Sequence, residues 1–290
     1  MDLVRVLRPL KALWSAVSRG HGHAVLTRTL RRAARLGLVR PAWYQCDEGF
    51  WMFLDPVDLV QRTIRITGKW EQSQADWLKN ALTPGQTYVD VGANVGYFAL
   101  LAARRVGTRG TVLAIEPSAA TAEQLVVNAE RNDLPIRVER CACTSEGASG
   151  IELFLSADSG QTSLAAGAAG SDRFEMVRAK TLDDIVEAHG LTRLDVLKID
   201  VEGAEYQVLS GARRTLSRFH PRVMIELEPE NLKHFQHGAR EVVALLREHG
   251  YVAQGGTISS PDYLFVFCGL TGGSHQEAVP LAVPNLEPRR

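Results

Sequence analysis

The segment at residues 88–100, YVDVGANVGYFAL, constrains the fold more than any other part of the chain. A short apolar run ends at Asp90, two glycines four residues apart follow, and an apolar pattern with helical spacing begins after Gly96. This order predicts a strand, a glycine-rich turn and a helix N-terminus, which is typical of the first unit of a nucleotide-binding α/β fold. We expect Gly92 and Gly96 to let the backbone approach a ligand closely, because neither carries a Cβ atom.

The spacing within this turn distinguishes two cofactors. A dinucleotide site uses G-x-G-x-x-G, because its pyrophosphate lies on the helix N-terminus. Here Asp90 occupies the position of the first close-approach glycine, and Asn94 forms the tip of the turn after Ala93. A carboxylate would repel a pyrophosphate, whereas it would attract the ammonium and sulfonium groups of S-adenosylmethionine. The pattern therefore favours S-adenosylmethionine over NAD.

A second apolar run at residues 111–115 ends in Glu116. A carboxylate about 20 residues after the glycine turn is suited to binding the two hydroxyls of a ribose. The alternative is that Glu116 caps the helix that follows. We favour ribose binding, because the same spacing recurs where such a unit binds an adenosine.

Composition limits the remaining possibilities. The chain has 290 residues and a formal net charge of zero, which argues against a nucleic-acid-binding protein. Four cysteines form no C-x-x-C pair and no zinc spacing, so we expect reduced thiols in a cytoplasmic protein; they are Cys46, Cys141, Cys143 and Cys268. No apolar run is long enough to span a bilayer, and basic residues interrupt any apolar core of a signal peptide.

The N-terminal part is basic: residues 1–40 contain nine Lys and Arg and one acidic residue. Residues 3–17 have apolar positions at helical spacing, with basic residues mostly on the other side. We expect a helical cap that packs either on its own domain or on a partner subunit; only the second arrangement would make the protein a homo-oligomer. The alternative is an interfacial helix that gives peripheral membrane contact through residues 1–40.

The rest of the chain predicts an α/β fold with a seven-stranded, mostly parallel sheet and helices on both faces. Before it, residues 50–66 resemble a short hairpin around Asp55 and Pro56, and residues 71–82 a helix. The predicted strands are 87–91, 111–116, 136–140, 195–200, 223–228, 251–254 and 262–268, the last two as an antiparallel pair. Segments 151–155 and 175–180 resemble an inserted hairpin, whose connection at 156–172 is long enough to be functional or disordered. We expect a cap, substrate or oligomerisation region at 1–80, a methyltransferase domain at 81–270 and a flexible tail at 271–290.

A second segment, LKIDVEGAE at residues 197–205, has the same organisation as the first. Asp200 ends a predicted strand, and a turn with Glu202 leads to a helix. Since ligands of open α/β sheets bind beyond the carboxyl ends of the strands, these carboxylates should face the same crevice as Asp90. The next strand adds Glu226 and Glu228 at its end. A cationic cofactor or a divalent metal would explain why several carboxylates lie together. The alternative is that Glu202 and Glu205 only stabilise the dipole of the helix that follows them.

These segments resemble the FkbM family of S-adenosylmethionine-dependent methyltransferases. The resemblance rests on residues 89–96, on Ile115-Glu116-Pro117, on residues 158–164 and on residues 198–212, and it covers about residues 50–268. It implies a class I methyltransferase (Rossmann-like) fold and methyl transfer, usually to a hydroxyl of a sugar, a glycan or a natural product. The cofactor-binding residues expected from the motifs are Asp90, Gly92, Ala93, Asn94, Gly96, Glu116, Pro117 and Asp200.

For the chemistry we expect Asp200, Glu202 and Glu226 to act near the reacting methyl group. An alcohol needs a base or a metal to react at neutral pH, and Asp200 with Glu226 could hold Mg²⁺ or another divalent cation. His234 and His237 are a second candidate base, although solvated loop histidines are the simpler interpretation. N-methylation of a small-molecule or peptide amine, a nicotinamide dehydrogenase and a membrane-surface binding protein remain the alternative functions.

Overall fold

The structure, a computed structural model, describes residues 21–254 and 261–269, with side chains from residue 27 onward. The predicted helix at 3–17 and the predicted tail at 271–290 lie outside the described residues. The chain divides into two compact units. Within the described part, the first comprises residues 21–71 and 157–160, and the second comprises the remainder, including the helix over 72–81. No described helix is long and apolar enough to cross a bilayer.

The first unit contains two helices and a hairpin: α1 (His21–Arg35), β1 (Ala42–Gln45), β2 (Trp51–Leu54) and α2 (Leu59–Thr67). The predicted hairpin at 50–66 is therefore wrong, because the strands pair at 42–45 and 51–54. The Asp58 side chain accepts a hydrogen bond from Gln61 N and starts α2 where a second strand was expected. The apolar positions Val60 and Ile64 are a helical i,i+4 pair, which over a short run is hard to separate from strand alternation.

Two aspartates connect residues 157–160 with the start of α2, and one belongs to each of these two segments. Each aspartate accepts a hydrogen bond from a backbone N–H group of the opposite segment. Asp158 accepts from Leu59 N at 2.9 Å and pairs with Arg31 at 3.3 Å. Asp58, in turn, accepts from Ser159 N. Part of the long predicted loop is thus ordered by charge-assisted hydrogen bonds.

The second unit alternates strands and helices over most of its length. Its elements are α3 (Gln72–Ala81), β3 (Thr87–Val91), α4 (Tyr97–Val106), β4 (Thr111–Ile115), α5 (Ala119–Arg131), β5 (Ile136–Glu139), β6 (Ala142–Cys143), β7 (Ala148–Phe154), β8 (Phe174–Lys180), α6 (Leu182–Ala188), β9 (Val196–Ile199), α7 (Glu205–Ser210), α8 (Arg213–Phe219), β10 (Arg222–Glu226), α9 (Pro229–Lys233), α10 (Ala239–Glu248), β11 (Tyr251–Gln254) and β12 (Asp262–Phe267).

Seven of these strands form one sheet in the order β11-β12-β10-β9-β3-β4-β5. The five strands from β10 to β5 are parallel, and β12 runs antiparallel to both β10 and β11. This confirms the predicted seven-stranded, mostly parallel sheet with an antiparallel edge. The chain moves outward from β3 through β4 to β5 and in the opposite direction from β9 to β10. Right-handed crossovers in opposite directions place helices on both faces, and they leave the switch point between β3 and β9.

The inserted hairpin between β5 and β9 is also confirmed, as the antiparallel pair β7 and β8. A short parallel strand, β6, adds to β8 and makes a separate three-stranded sheet. Ser163 pairs with Phe154 in an isolated bridge at the end of β7. The end of the connection is thereby fixed next to the hairpin.

The main core lies around the strands at the centre of the large sheet. Val89, Val91, Leu197 and Ile199 are buried together with apolar residues of the flanking helices. Lys198 is the charged residue of β9 and is also buried, with its side chain on the opposite face of the sheet from Leu197 and Ile199. Three cysteines are buried, Cys268 is exposed, and all four are free thiols.

Candidate functional site

The glycine turn after β3 is shaped by contacts within the protein. Gly92 and Gly96 have φ angles of +84° and +93°, in the region that favours glycine. A Cβ atom on Gly92 would lie 1.8 Å from the Asp200 carbonyl oxygen, and one on Gly96 would lie 2.8 Å from Leu125 Cγ. Gly92 therefore lies close to the residue that follows β9, and Gly96 lies close to α5. Contact of either glycine with a ligand stays a prediction.

Backbone hydrogen bonds tie the turn to β4. The N–H groups of Gly92 and Ala93 donate to Ile115 O at 2.9 and 3.1 Å. Asn94 also has a positive φ, +49°, and its side chain accepts a bond from Val95 N at 2.7 Å. The turn is thus fixed from both sides without any ligand.

Asp90 is buried beside the switch point, one residue before the end of β3. Neither of its carboxylate oxygens has a hydrogen-bond partner of ordinary geometry among the described residues. Burial raises the pKa of Asp90 to about 6, against the attraction of the nearby Lys198 ammonium. The Tyr88 hydroxyl is near enough to oppose this rise in pKa as well, although it makes no hydrogen bond of ordinary geometry. A buried carboxylate without a well-formed hydrogen bond is costly, which favours a role toward a ligand over a role in the fold.

Glu116 is held between the glycine turn and the start of α5. Its carboxylate accepts from Asn94 N at 2.9 Å and from Ser118 N at 3.0 Å. Burial raises the pKa of Glu116 to about 7, although these two hydrogen bonds oppose the change. The Ser118 contact lies at the N-cap of α5, which fits the alternative that Glu116 supports this helix. Ribose binding by Glu116 stays a prediction. Pro117, half-buried, lies between Glu116 and Ser118.

Lys198 lies directly across the switch point, because it pairs with Asp90 in the β3–β9 register. Its ammonium contacts Asp200 at 2.7 Å and lies 4.9 Å from the centre of the Phe98 ring. Only 4% of its side chain is exposed. Sequence analysis did not assign Lys198 a role, although a lysine inside the apolar run LKI was a usable signal.

Three carboxylates meet at the carboxyl ends of β9 and β10. Asp200, Glu202 and Glu226 each offer one oxygen, and these oxygens lie within 4.8 Å of one another. The charge of Asp200 and then burial raise the pKa of Glu226 to about 11. Burial and then the charge of Asp200 raise the pKa of Glu202 to about 9. Without a bound cation this cluster therefore holds protons at neutral pH.

Asp262 belongs to the same region, and sequence analysis did not select it. It pairs with Glu226 across the antiparallel β10–β12 ladder and accepts a hydrogen bond from Gln74 of α3. Burial raises its pKa to about 6. As the first residue of β12, which lies between β11 and β10, it carried no motif, so only the strand register could have revealed it.

Other predicted residues have structural contacts instead. Glu228 was predicted at the end of the strand, but β10 ends at Glu226 and Glu228 is the N-cap of α9, outside the three-carboxylate group. Glu205 accepts bonds from the N–H groups of Val201 and Gly203, both at 3.1 Å, which stabilises the turn. His234 ends α9, and His237 stacks on the Tyr206 ring with a centroid distance of 3.8 Å.

The residues present fit the cationic part of S-adenosylmethionine and its ribose. Asp90 supplies a buried carboxylate without a hydrogen bond of ordinary geometry, and Glu116 supplies a second carboxylate at the end of the adjacent strand. After burial, the charge of Asp90 also contributes to the raised pKa of Glu116, so the two carboxylates lie near one another. Both positions are at the edge of the sheet where ligands of this fold class bind.

The chain is similar in sequence to known methyltransferases. Residues 90–253 match the model of the methyltransferase FkbM domain. The chain is 31% identical over 214 residues to the 31-O-demethyl-FK506 methyltransferase FkbM of Streptomyces tacrolimicus, covering 63% of this chain and 78% of that protein. It is 27% identical over 194 residues to methyltransferase sdnD of Sordaria araneosa, covering 56% and 72%.

Solved structures of low sequence identity also resemble it. The methyltransferase FkbM from Methylobacillus flagellatus KT is 16% identical with a TM-score of 0.41, over 71% of this chain. The chain spans about half of that protein, 52%. Aeropyrum pernix fibrillarin with natively bound S-adenosyl-L-methionine is 13% identical with a TM-score of 0.41, over 67% of this chain and 73% of that one.

The family match includes the glycine turn, Glu116 and the carboxylate cluster, because all of them lie within residues 90–253. It extends over more than half of the 290 residues. The chain therefore belongs to the FkbM family of S-adenosylmethionine-dependent methyltransferases.

Proposed function

We propose that the protein methylates a hydroxyl group of a natural product or sugar. The observation that carries this proposal is the group formed by Asp200, Glu202 and Glu226 at the carboxyl edge of the sheet. An alcohol is a poor nucleophile at neutral pH and needs a base or a metal, whereas an amine needs less help. A cluster of carboxylates beside the cofactor region therefore favours an alcohol acceptor over an amine.

The cofactor would be held by the ends of β3, β4 and β9, which lie on both sides of the switch point. We assign its ammonium and sulfonium end to Asp90 and Asp200, and its ribose to Glu116. The backbone of the glycine turn and Pro117 would line the remaining contacts. When bound, S-adenosylmethionine supplies a methyl group on a positively charged sulfur, and the protein's part is to align it with the acceptor.

Asp200 is the best candidate for the group that receives the acceptor's proton. Its side chain is 24% exposed, whereas Lys198 behind it is nearly buried. The ammonium of Lys198 donates to one carboxylate oxygen, Oδ2, and so fixes the direction of the Asp200 carboxylate. Glu202 and Glu226, with their raised pKa values, would hold protons in the absence of a cation.

A divalent cation is a second way in which the same cluster would activate an alcohol. Hard cations such as Mg²⁺ bind carboxylate oxygens, and three of these oxygens already converge. We propose Asp200 and Glu226 as ligands, with Glu202 as the third. In that arrangement the metal would lower the pKa of the acceptor hydroxyl and replace the protons of the cluster.

The names of relatives support the acceptor class. The Streptomyces tacrolimicus protein is named as a methyltransferase of 31-O-demethyl-FK506, which is an oxygen acceptor on a natural product. We extend this acceptor class, and not the compound, to the present chain. Homo-oligomerisation and peripheral membrane contact through residues 1–40 stay predictions.

Calorimetry of S-adenosylhomocysteine binding to the metal-stripped protein tests the cofactor assignment. We expect binding in the micromolar range, weakened at least tenfold by Glu116→Ala. Glu123→Ala removes an exposed carboxylate from α5 and should leave the affinity unchanged. If the wild-type protein does not bind the ligand, the proposed cofactor site is wrong.

The acceptor class is tested by incubation with isotope-labelled S-adenosylmethionine. Hydroxylated macrolides, sugars and amines would be offered separately, with and without Mg²⁺, and labelled products would be detected by mass spectrometry. We expect label on hydroxyl acceptors. Label on amines alone would replace the O-methylation proposal by the N-methylation one.

A further inference from the structure

We propose that Ser163 and Asn231 are positioning residues that orient Glu202 as a ligand in the carboxylate cluster. The inference rests on the proposed function, in which Glu202 serves a divalent cation together with Asp200 and Glu226. Ser163 comes from the connection between β7 and β8, and Asn231 comes from α9. Neither residue belongs to the cluster itself.

Glu202 needs such support because its backbone is in an unfavourable conformation. Its φ angle is +55°, in the left-handed region that glutamate seldom adopts. Residues in this region persist where the surroundings determine the conformation. The position therefore points to contacts that hold the residue in place.

Ser163 holds the main chain of Glu202. Its hydroxyl donates to the Glu202 carbonyl oxygen at 3.0 Å, and only 2% of the residue is exposed. Ser163 is itself fixed, because its N–H and C=O both bond to Phe154 at the end of β7. The inserted hairpin thus reaches the turn after β9 through one buried hydroxyl.

Asn231 holds the side chain of Glu202. Its Nδ2 donates to Glu202 Oε2 at 2.6 Å. The neighbouring Gly203, with φ +107°, permits this approach, because a Cβ there would lie 2.4 Å from the Asn231 carbonyl oxygen. Asn231 is a neutral donor, so it fixes the direction of the carboxylate without neutralising its charge.

These two contacts leave Glu202 with one constrained oxygen and one free to meet a cation. A single oxygen presented in a fixed direction binds a metal more tightly than a freely rotating carboxylate, because less rotational freedom is lost on binding. Partners of metal ligands typically change metal affinity by about 10- to 100-fold when they are removed. We therefore expect Ser163 and Asn231 to act on cation affinity and not on the cofactor.

The test is calorimetry of Mn²⁺ binding to the full-length, metal-stripped protein, with S-adenosylhomocysteine affinity measured in parallel. We expect Asn231→Ala and Ser163→Ala each to weaken Mn²⁺ binding about tenfold and to leave S-adenosylhomocysteine binding unchanged. Asn231→Leu keeps the volume without the donor and should behave as Asn231→Ala does. Ser163→Thr keeps the hydroxyl and should restore the affinity.

Matched controls remove the same groups elsewhere in the second unit. Ser217→Ala removes a hydroxyl that contacts His249 on an exposed surface, and Asn132→Ala removes an amide at the end of α5. Neither should change Mn²⁺ binding. In the Glu202→Gln background, Asn231→Ala should produce little further loss, because the carboxylate that it orients is gone.

The inference is overturned if the variants bind Mn²⁺ as tightly as the wild-type protein does. It is also overturned if the loss of affinity caused by Asn231→Ala adds fully to the loss caused by Glu202→Gln. Loss of S-adenosylhomocysteine binding together with Mn²⁺ binding would indicate general disruption and would also overturn it. A wild-type protein that binds S-adenosylhomocysteine but no Mn²⁺ would refute the inference and leave methyl transfer intact. Failure of the wild-type protein to bind S-adenosylhomocysteine would instead refute the proposed cofactor site.

Discussion

At the scale of single residues, the arrangement of charges around β9 is the main feature of the site. Lys198 carries a positive charge into the buried part of the sheet and contacts Asp200, while Asp90 and Asp262 are close enough for Lys198 to lower their pKa values. Sequence reasoning selected Asp90, Asp200, Glu202 and Glu226, because each stands at or near the end of an apolar run. It did not select Lys198, Asp262 or Asn231. Their roles depend on which strands and helices become neighbours, and no local pattern records that.

Replacement of Lys198 by methionine should destabilise the protein strongly. The substitution keeps the length of the side chain but leaves Asp200 and Asp90 without their buried counter-charge, and such a change costs about 3–5 kcal/mol. We expect a clear fall in the midpoint of urea unfolding. Lys233→Met removes a pair between two exposed side chains, Lys233 and Glu230, and should leave the midpoint almost unchanged, because solvent screens such pairs. Equal effects of the two substitutions would contradict the central role of Lys198.

Replacement of Asp90 by asparagine should affect stability and binding in opposite directions. At pH 8 the variant removes a buried charge whose pKa is raised to about 6, so the free protein should gain roughly 1–3 kcal/mol. Affinity for S-adenosylhomocysteine should fall at least tenfold, because the ligand loses its carboxylate partner. Chemical unfolding and calorimetry measure the two quantities.

The control for this prediction is Asp183→Asn. Asp183 accepts hydrogen bonds from Thr215 N at 2.7 Å and Arg214 N at 3.0 Å, so its loss should lower stability and leave ligand binding unchanged. If Asp90→Asn lowers stability as Asp183→Asn does, Asp90 is a structural residue and its assignment to the cofactor is wrong.

At the scale of helices and strands, the sequence predicted the regular part of the second unit well. The strand cores were apolar runs and the turns contained glycine, so local pattern and long-range packing agreed. Prediction failed at residues 50–66, where Asp58 caps a helix instead of closing a hairpin turn. The connection at 156–172 was recognised as long, but its fixed points, Asp158 and Ser163, depend on partners far away in the sequence.

The glycine turn gives a prediction that separates backbone strain from steric overlap. Gly92 and Gly85 have nearly the same φ angles, +84° and +85°, but a Cβ would meet Asp200 O at 1.8 Å on Gly92 and nothing within 4 Å on Gly85. Gly85→Ala should therefore cost about 1 kcal/mol of unfolding free energy. Gly92→Ala should cost more than about 4 kcal/mol or prevent folding, because β3 and the end of β9 must separate. Similar unfolding midpoints for the two variants would show that strain alone decides the cost.

At the scale of the whole molecule, several buried carboxyl groups share a raised pKa. Burial raises the pKa of Glu116 and of Glu205 to about 7 and that of Asp90 to about 6. Fold class was predictable at this scale from the order of elements, and the sequence also indicated which residues end the strands. The order of strands in the sheet was not predicted, because it depends on pairing between segments far apart in the chain.

The raised pKa values predict that the ligand-free protein loses stability as the pH rises from 5 to 8. Below its folded pKa each of these groups binds more protons in the folded than in the unfolded state. The unfolding free energy therefore falls by about 1 kcal/mol per pH unit for each group, and the fall ends near pH 6 for Asp90 and near pH 7 for Glu116 and Glu205. Thermal unfolding should show a falling midpoint, and S-adenosylmethionine with Mg²⁺ should reduce the fall. A midpoint that is constant or rises between pH 5 and 8 would contradict the burial of these charges.

The pairing of β3 with β9 has a consequence for how the protein is made. The paired residues Val89 and Leu197 are roughly a hundred positions apart, yet the Gly92 turn rests directly on Asp200. During synthesis the first half of the crevice therefore leaves the ribosome long before its second half. Contacts between such distant segments form slowly, since a large loop must close first. The ability to bind the cofactor should thus appear only when the last central strand has joined, which makes cofactor binding a reporter of completed folding.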